Sequence, residues 1–332
     1  MFTPHEIVRI TVALLASGLA LAIGPGAWAA APAEAGPVEI AKWKDGKAGA
    51  FMLEFDDSAP SQVKNVVPEL KKRGLIGTFY INPGAGHYNK QAWEQEIPAM
   101  GMEYGNHTFT HKGVRDAANA DEELARCNEV IARCFPDRKI PRLISFGRPG
   151  GVPWNITPEE QKALLAKYNL IDRPPFWGAA IHLKTAEDMM RLVDKAVEKG
   201  TVEHIDFHGV GGDWLSASMP DFLALLDKLD ACRDRLWITD PVSYHKYMTE
   251  RDGAELKVLE SGPQKIRLTL ACKADPKLYD LPLTLIARVP ADWKQCQVSQ
   301  GKTQSTVTAA GGAITFPALP GAEEIVIQPA AK

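Results

Sequence analysis

Cysteine is scarce and unpatterned in this chain: Cys127, Cys134, Cys232, Cys272 and Cys296 carry no CxxC spacing. That excludes a zinc knuckle and a thioredoxin-like pair. An odd count leaves at least one thiol unpaired. Cys272 and Cys296 fall in one C-terminal segment and can pair, whereas Cys127 and Cys134 on a continuous helix would stand about 10 Å apart, too far to bridge. Burial is the role expected of them. An excess of one charge is missing too: the net charge is -3, from mixed acids and bases, with no Lys/Arg-rich run. Nucleic acid and a membrane surface are therefore not expected partners, and a neutral or small substrate is. Also missing are a GxSxG elbow, a GxGxxG after a strand, a P-loop and a recognisable cysteine nucleophile.

One long apolar run is present. It extends from Ile10 to Ile23 behind Arg9 and is followed by Ala27-Trp28-Ala29. Too short for a comfortable membrane span and ending in small residues, it reads as an export signal over residues 1–29, cleaved near Ala29, with an uncleaved anchor as the alternative. The body of the protein is then secreted or periplasmic, with no membrane contact in the mature form. The Ala/Pro-rich residues 30–44 read as a linker.

The remaining 45–332, within a chain that is 45% hydrophobic, can build a large domain and a small one. Across 45–251, apolar strand-like runs alternate with helical stripes. "AFMLEF" precedes "PSQVKNVVPELKKRG", where Val63, Val66, Val67 and Leu70 share a face and Gly74 reads as a C-cap. The pattern repeats through "GTFYI", "MEYGNH", "RLISF", "VEHIDFH" and "LWIT", with helical segments between them. Repeated β/α units imply a parallel sheet, open or closed into a distorted (β/α) barrel, with functional loops at the C-terminal strand ends. Residues 252–332 change character: short period-two runs such as "KIRLTLAC" and "LPLTLIARV", separated by Gly, Pro, Asp and Lys turns, predict a small all-β sandwich. Trp293 there is an exposed-looking aromatic suited to sugar stacking.

The strand ends hold the polar residues. In order they are Asp56-Asp57, the "NHTFTH" of residues 106–111, the "GRPGG" of residues 147–151, and His208-Gly209. In a β/α sheet these places converge on one face. His107 and His111, four residues apart, together with one carboxylate make a two-histidine, one-carboxylate metal set with open positions, the pattern of a catalytic site. Alone, the two histidines also fit ordinary roles, and an acid pair also fits a helix cap. Their joint occurrence at strand ends is what points to chemistry.

These motifs resemble those of the NodB-homology polysaccharide deacetylases, the carbohydrate esterase family 4 enzymes: "FDD" after an apolar strand, "HTFTH" about fifty residues on, an Arg-Pro-Gly-Gly stretch, and a late strand ending in "DFH". The resemblance spans about residues 45–250. It implies that Asp57, His107 and His111 hold a divalent metal, zinc with cobalt or nickel as alternatives. It also implies that Asp56 is the general base, that Arg148 orients it, and that His208 is the general acid. The family more often carries Arg-Pro-Pro-aromatic-Gly where this chain has "RPGGVPW". Backbone N–H groups at Gly150 and Gly151 are expected beside the oxyanion, and Trp214 against a sugar ring. His204, deeper in the same strand as His208, reads as structural. Asp172 and Trp177 in "LIDRPPFWG" match the family's fourth motif only with the wrong spacing, and Asp240 is a further candidate partner for His208, although ahead of "PVSYHKYM" it reads first as a helix cap.

The resemblance implies an exported, metal-dependent deacetylase acting on a poly- or oligosaccharide, most readily on N-acetyl groups of amino sugars. The alternatives are an O-acetyl esterase of the xylan type, or another C–N amide hydrolase, on the same scaffold. A glycan-binding protein without catalysis is the alternative from a different class.

Overall fold

The computed structural model describes residues 38–173 and 183–330. The export segment and Trp177 lie outside the described residues. The chain begins with β1 (Val38–Ile40) and β2 (Gly49–Asp56), the latter buried along its whole length. Apolar side chains on both faces are what a central parallel strand requires. Phe51, Leu53 and Phe55 enter the main core, while Glu54 and Asp56 alternate to the opposite face. A wide turn, Gln62–Val66, then leads into α1 (Val67–Arg73). Gly74 ends it as expected, at φ 58°, with its N–H on the carbonyls of Leu70 and Lys71.

The β/α alternation continues through β3 (Thr78–Ile81), β4 (Glu103–Asn106), α2 (Ala117–Cys134), β5 (Ile144–Phe146), α3 (Pro158–Lys167) and β6 (Leu170–Asp172). It resumes in α4 (Ala186–Lys199), β7 (Val202–Phe207), α5 (Met219–Ala231), β8 (Leu236–Thr239) and α6 (Pro241–Asp252). Caps fix the helix starts. Thr157 and Glu160 form a reciprocal capping box on α3, and Asp240 accepts from Ser243 N–H at the start of α6, the role expected of it.

The strands form one seven-stranded parallel sheet in the order β6-β5-β4-β3-β2-β7, with β8 also on β2. A strand has two edges. β7 runs along β2 residues 50–55, so β3, at 54–56, and β8, at 49–52, share the other edge. The sheet therefore curls into an incompletely closed barrel whose C-terminal strand ends open on one face.

A second unit follows: β9 (Ala254–Ser261), β10 (Ile266–Cys272), β11 (Leu283–Arg288), β12 (Gln295–Gln300), β13 (Thr303–Thr308), β14 (Ala313–Ala318) and β15 (Ile325–Pro329). They make a five-stranded sheet, β13-β12-β15-β10-β9, and a three-stranded one, β1-β11-β14. Here the reading of residues 30–44 as linker is corrected. Val38–Ile40 is a strand, with Ile40 opposite Leu285. Three residues are too few to show a period, and their partner lies far along the chain.

Two other expectations fail in this unit. Trp293 is 3% exposed, with its indole N–H on the Pro263 carbonyl at 3.3 Å, so it presents no stacking surface. Cys272 and Cys296 do not pair, and all five thiols are free. They sit on β10 and β12 with β15 between them: Cys296 lies opposite Pro329, whereas Cys272 lies four residues beyond Leu268, the partner of Ile325, so the two thiols stand toward opposite ends of the sheet, too far apart to bridge. Among the described residues no helix is long and apolar enough to cross a membrane.

Candidate metal centre

Four strand ends and the turns after them build the site. β2 delivers Asp56 and Asp57, β4 leads into His107 and the turn to His111, β7 ends before His208, and β6 ends before Arg173. The backbone bends sharply there: Asp57, Ser58, Thr108 and His111 all have positive φ, at 74°, 51°, 63° and 57°. Non-glycine residues persist in such conformations only where their surroundings over-determine them. The turn of residues 106–111 is held in that way. Asn106 Oδ1 accepts from Thr108 N–H at 2.9 Å, and the buried Glu123 carboxylate on α2 takes both the N–H and the hydroxyl of Thr110, at 2.7 and 2.9 Å.

Asp57, His107 and His111 bring one donor atom each to within 4.8 Å of one another. Asp57 Oδ1 lies 3.3 Å from His107 Nε2 and 3.1 Å from His111 Nε2, yet this buried oxygen receives no hydrogen bond among the described residues. His107 Nδ1–H donates to the Gly147 carbonyl at 2.6 Å, which leaves the Nε2 lone pair facing the acids. Burial opposes charge on Asp57, but the two imidazoles outweigh it and hold the carboxyl well below its usual range. Burial likewise lowers the His111 pKa, and the Asp57 carboxylate more than reverses it. Two imidazoles and a carboxylate around a buried oxygen with no hydrogen bond fit a divalent cation in chemistry and in spacing.

Asp56 has a different environment. Arg173 grips it with two parallel bonds, Nη1 to Oδ1 at 2.6 Å and Nη2 to Oδ2 at 2.5 Å. The same guanidinium lies 3.4 Å from Asp206 and 3.9 Å from Glu54. Burial pushes the Asp56 carboxyl up, but Arg173, followed by His107, brings it down to about 2. Asp206 and Glu54, buried with less compensation, are raised. His204 Nδ1 stands 3.9 Å from Glu54 Oε1, beneath the site, in keeping with a structural role.

Arg148 is therefore not the partner of Asp56. It is exposed, with its guanidinium 5.2 Å from the centre of the Trp154 ring. Two Arg-Pro dipeptides follow strands in this chain, and the one after β6, Arg173-Pro174-Pro175-Phe176, has the Arg-Pro-Pro-aromatic order sought at Arg148. That order was the signal for Arg173. Glu54 and Asp206 had a weaker one: each stands two residues before a site residue on the same strand face. Gly150 and Gly151 lie in an exposed loop with open space around them.

His208 Nε2 is 3.8 Å from Asp57 Oδ2, and the Gln62 amide ties the carbonyls of Asp56 and His208 together at 2.6 and 2.9 Å. Trp214 reaches the same carboxylate, its indole N–H donating to Asp57 Oδ2 at 2.7 Å. Asp172 is an exposed acid at the end of β6, its carboxyl raised by desolvation against the pull of Arg173 and Arg148. The structure thus gathers Asp56, Asp57, His107, His111, His208 and Trp214, and leaves Arg148, Gly150 and Gly151 in the loops after β5.

The chain is similar to known proteins. The family model for polysaccharide deacetylase matches residues 44–162. A gellan lyase from Bacillus sp is 25% identical over 302 residues, which is 81% of this chain and 12% of that protein. The chain thus spans about an eighth of the length of that curated relative. Similar solved structures include a putative polysaccharide deacetylase from Mycobacterium smegmatis, at 15% identity and TM-score 0.49 over 62% of this chain and 92% of that one. A family 4 carbohydrate esterase from Streptomyces lividans is 20% identical, with TM-score 0.40 over 57% of this chain and 92% of that one. The peptidoglycan deacetylase PdaC from Bacillus subtilis is 16% identical, with TM-score 0.42 over 62% and 94% of the two chains.

Proposed function

From the premise that residues 44–162 belong to the polysaccharide deacetylase family, we propose that this chain is an exported, metal-dependent deacetylase removing N-acetyl groups from amino sugars of a polysaccharide. The observation that carries the reading is the unlike fate of two adjacent acids. Asp57 faces two imidazoles, and Asp56 faces a guanidinium. The likeness of most of the chain to part of a gellan lyase supports a polysaccharide context. Residues 1–29 carry the export reading.

A divalent cation on Asp57, His107 and His111, zinc with cobalt or nickel as alternatives, supplies Lewis acidity toward the acetyl carbonyl and acidifies water. Asp56 stays ionised because Arg173 holds it, and it takes the proton of the attacking water. The Arg173 fork also fixes the direction of the base, since a bidentate pair leaves the carboxylate little rotation. His208, on the far side of Asp57, donates a proton to the leaving amine. The test is acetate release from a panel of N- and O-acetylated glycans by protein as purified, chelated, and re-supplied with zinc, cobalt or nickel. Release from N-acetylated glycans that disappears with chelator and returns with metal is expected. Release from O-acetylated glycans alone would replace the amide reading with the ester one, and none from metal-loaded protein would reject both.

A further inference from the structure

Asp57 is held from its outer side by two aromatic residues, and neither belongs to the ligand set. His87 Nε2–H donates to the Asp57 backbone carbonyl at 2.7 Å, and Trp214 Nε1–H donates to the side-chain Oδ2 at 2.7 Å. The two rings meet edge to face, with centroids 5.0 Å apart. We infer that Trp214 is a positioning residue for the metal ligand: its indole N–H holds Asp57 Oδ2 and so turns Oδ1 toward His107 and His111. The inference rests on the metal reading above.

The loop that carries Trp214 is built to aim it. Asp213 and Leu215, on either side, both take positive φ, at 64° and 50°. Such strain persists only where neighbouring bonds impose it, and the loop has many. Gly209 N–H bonds the Trp214 carbonyl at 3.0 Å, Gly212 N–H bonds Ser216 Oγ at 3.0 Å, and Asp213 Oδ2 accepts from Ser61 N–H at 2.5 Å. The last bond joins this loop to the one that follows Asp57. A Cβ on Gly209 would lie 2.0 Å from the Gly212 carbonyl oxygen, so the tight return of the loop requires glycine.

A carboxylate on a short side chain rotates about a soft terminal torsion, so a single oriented donor on one oxygen decides where the other points. Outer partners of metal ligands commonly contribute ten- to hundredfold in metal affinity. Trp214 therefore acts on the metal, and its stacking surface for sugar is secondary.

The test uses the full chain and zinc, with apparent affinity read by competition against a chromophoric chelator. Trp214→Phe keeps a ring beside His87 and removes the donor, whereas Trp214→Gln removes the ring and restores an N–H at the same number of bonds from Cβ. About ten- to hundredfold weaker zinc binding is expected for the Phe variant, with partial recovery in the Gln variant. A changed visible spectrum for the cobalt-loaded Phe variant is also expected. Phe binding zinc as tightly as the parent, or Gln binding no better than Phe, would overturn the inference and leave the metal reading standing. A parent chain that binds no zinc, cobalt or nickel would remove both.

Discussion

The carboxylates of Asp56 and Asp57 have opposite partners, and exchanging either for an amide separates their roles. Asp57→Asn is expected to abolish zinc binding. Asp56→Asn is expected to leave zinc affinity within about tenfold while lowering kcat by roughly two to four orders of magnitude, the usual span for a lost general base. Chelator competition and steady-state acetate release measure the two effects. Arg173 carries a larger structural burden, since it is the cation among Asp56, Asp206 and Glu54. Arg173→Ala leaves those acids buried without it and is expected to cost about 3–5 kcal/mol in denaturant unfolding, whereas Arg148→Ala, in an exposed loop, should stay below about 1 kcal/mol. The acids and histidines were legible because polar residues at the ends of apolar strands contradict their surroundings. The partner of Asp56, expected at Arg148, was not, because two Arg-Pro stretches follow strands and the strand order that puts Arg173 beside Asp56 is set by the whole sheet.

Among the elements, the turn of residues 106–111 depends on α2 through Glu123. Glu123→Ala removes the acceptor of both Thr110 bonds and is expected to destabilise the protein by about 1–3 kcal/mol in denaturant melts, and to weaken zinc binding as His111 loosens. The strands and most helices could be read from period and caps, because Gly74, Asp240 and the Thr157–Glu160 box act through neighbouring residues. Strand β1 could not, because its pairing is its only structural signature. The wide turn of Gln62–Val66 is likewise hidden: its apolar stripe reads as plain helix, while its Gln62 amide reaches two strand ends that the local sequence does not place beside it.

Across the molecule, the barrel and the sandwich share a core in which Trp43, Trp237 and Tyr247 pack with Ile266, Leu268, Leu285 and Phe316. A single cooperative calorimetric transition is expected, and two separate ones would contradict the shared core. Glu250 in α6 gives this junction a pH dependence. Burial, assisted by Asp280, lifts its carboxyl to about 7, while the Leu281 amide and Lys246 pull it down. An unfolded Glu titrates at about 4.3, so between these values the folded state keeps a proton that the unfolded state has lost, and stability falls as pH rises through that window. Glu250→Gln is expected to raise Tm more at roughly pH 8 than at roughly pH 5. The pairing of Val38–Ile40 with Leu283–Arg288 bears on biosynthesis as well. A polypeptide leaves the ribosome amino end first, so β1 emerges more than two hundred residues before the strand that receives it. The three-stranded sheet cannot close until β11 and β14 exist, and β1 stays without its partner for all of that interval.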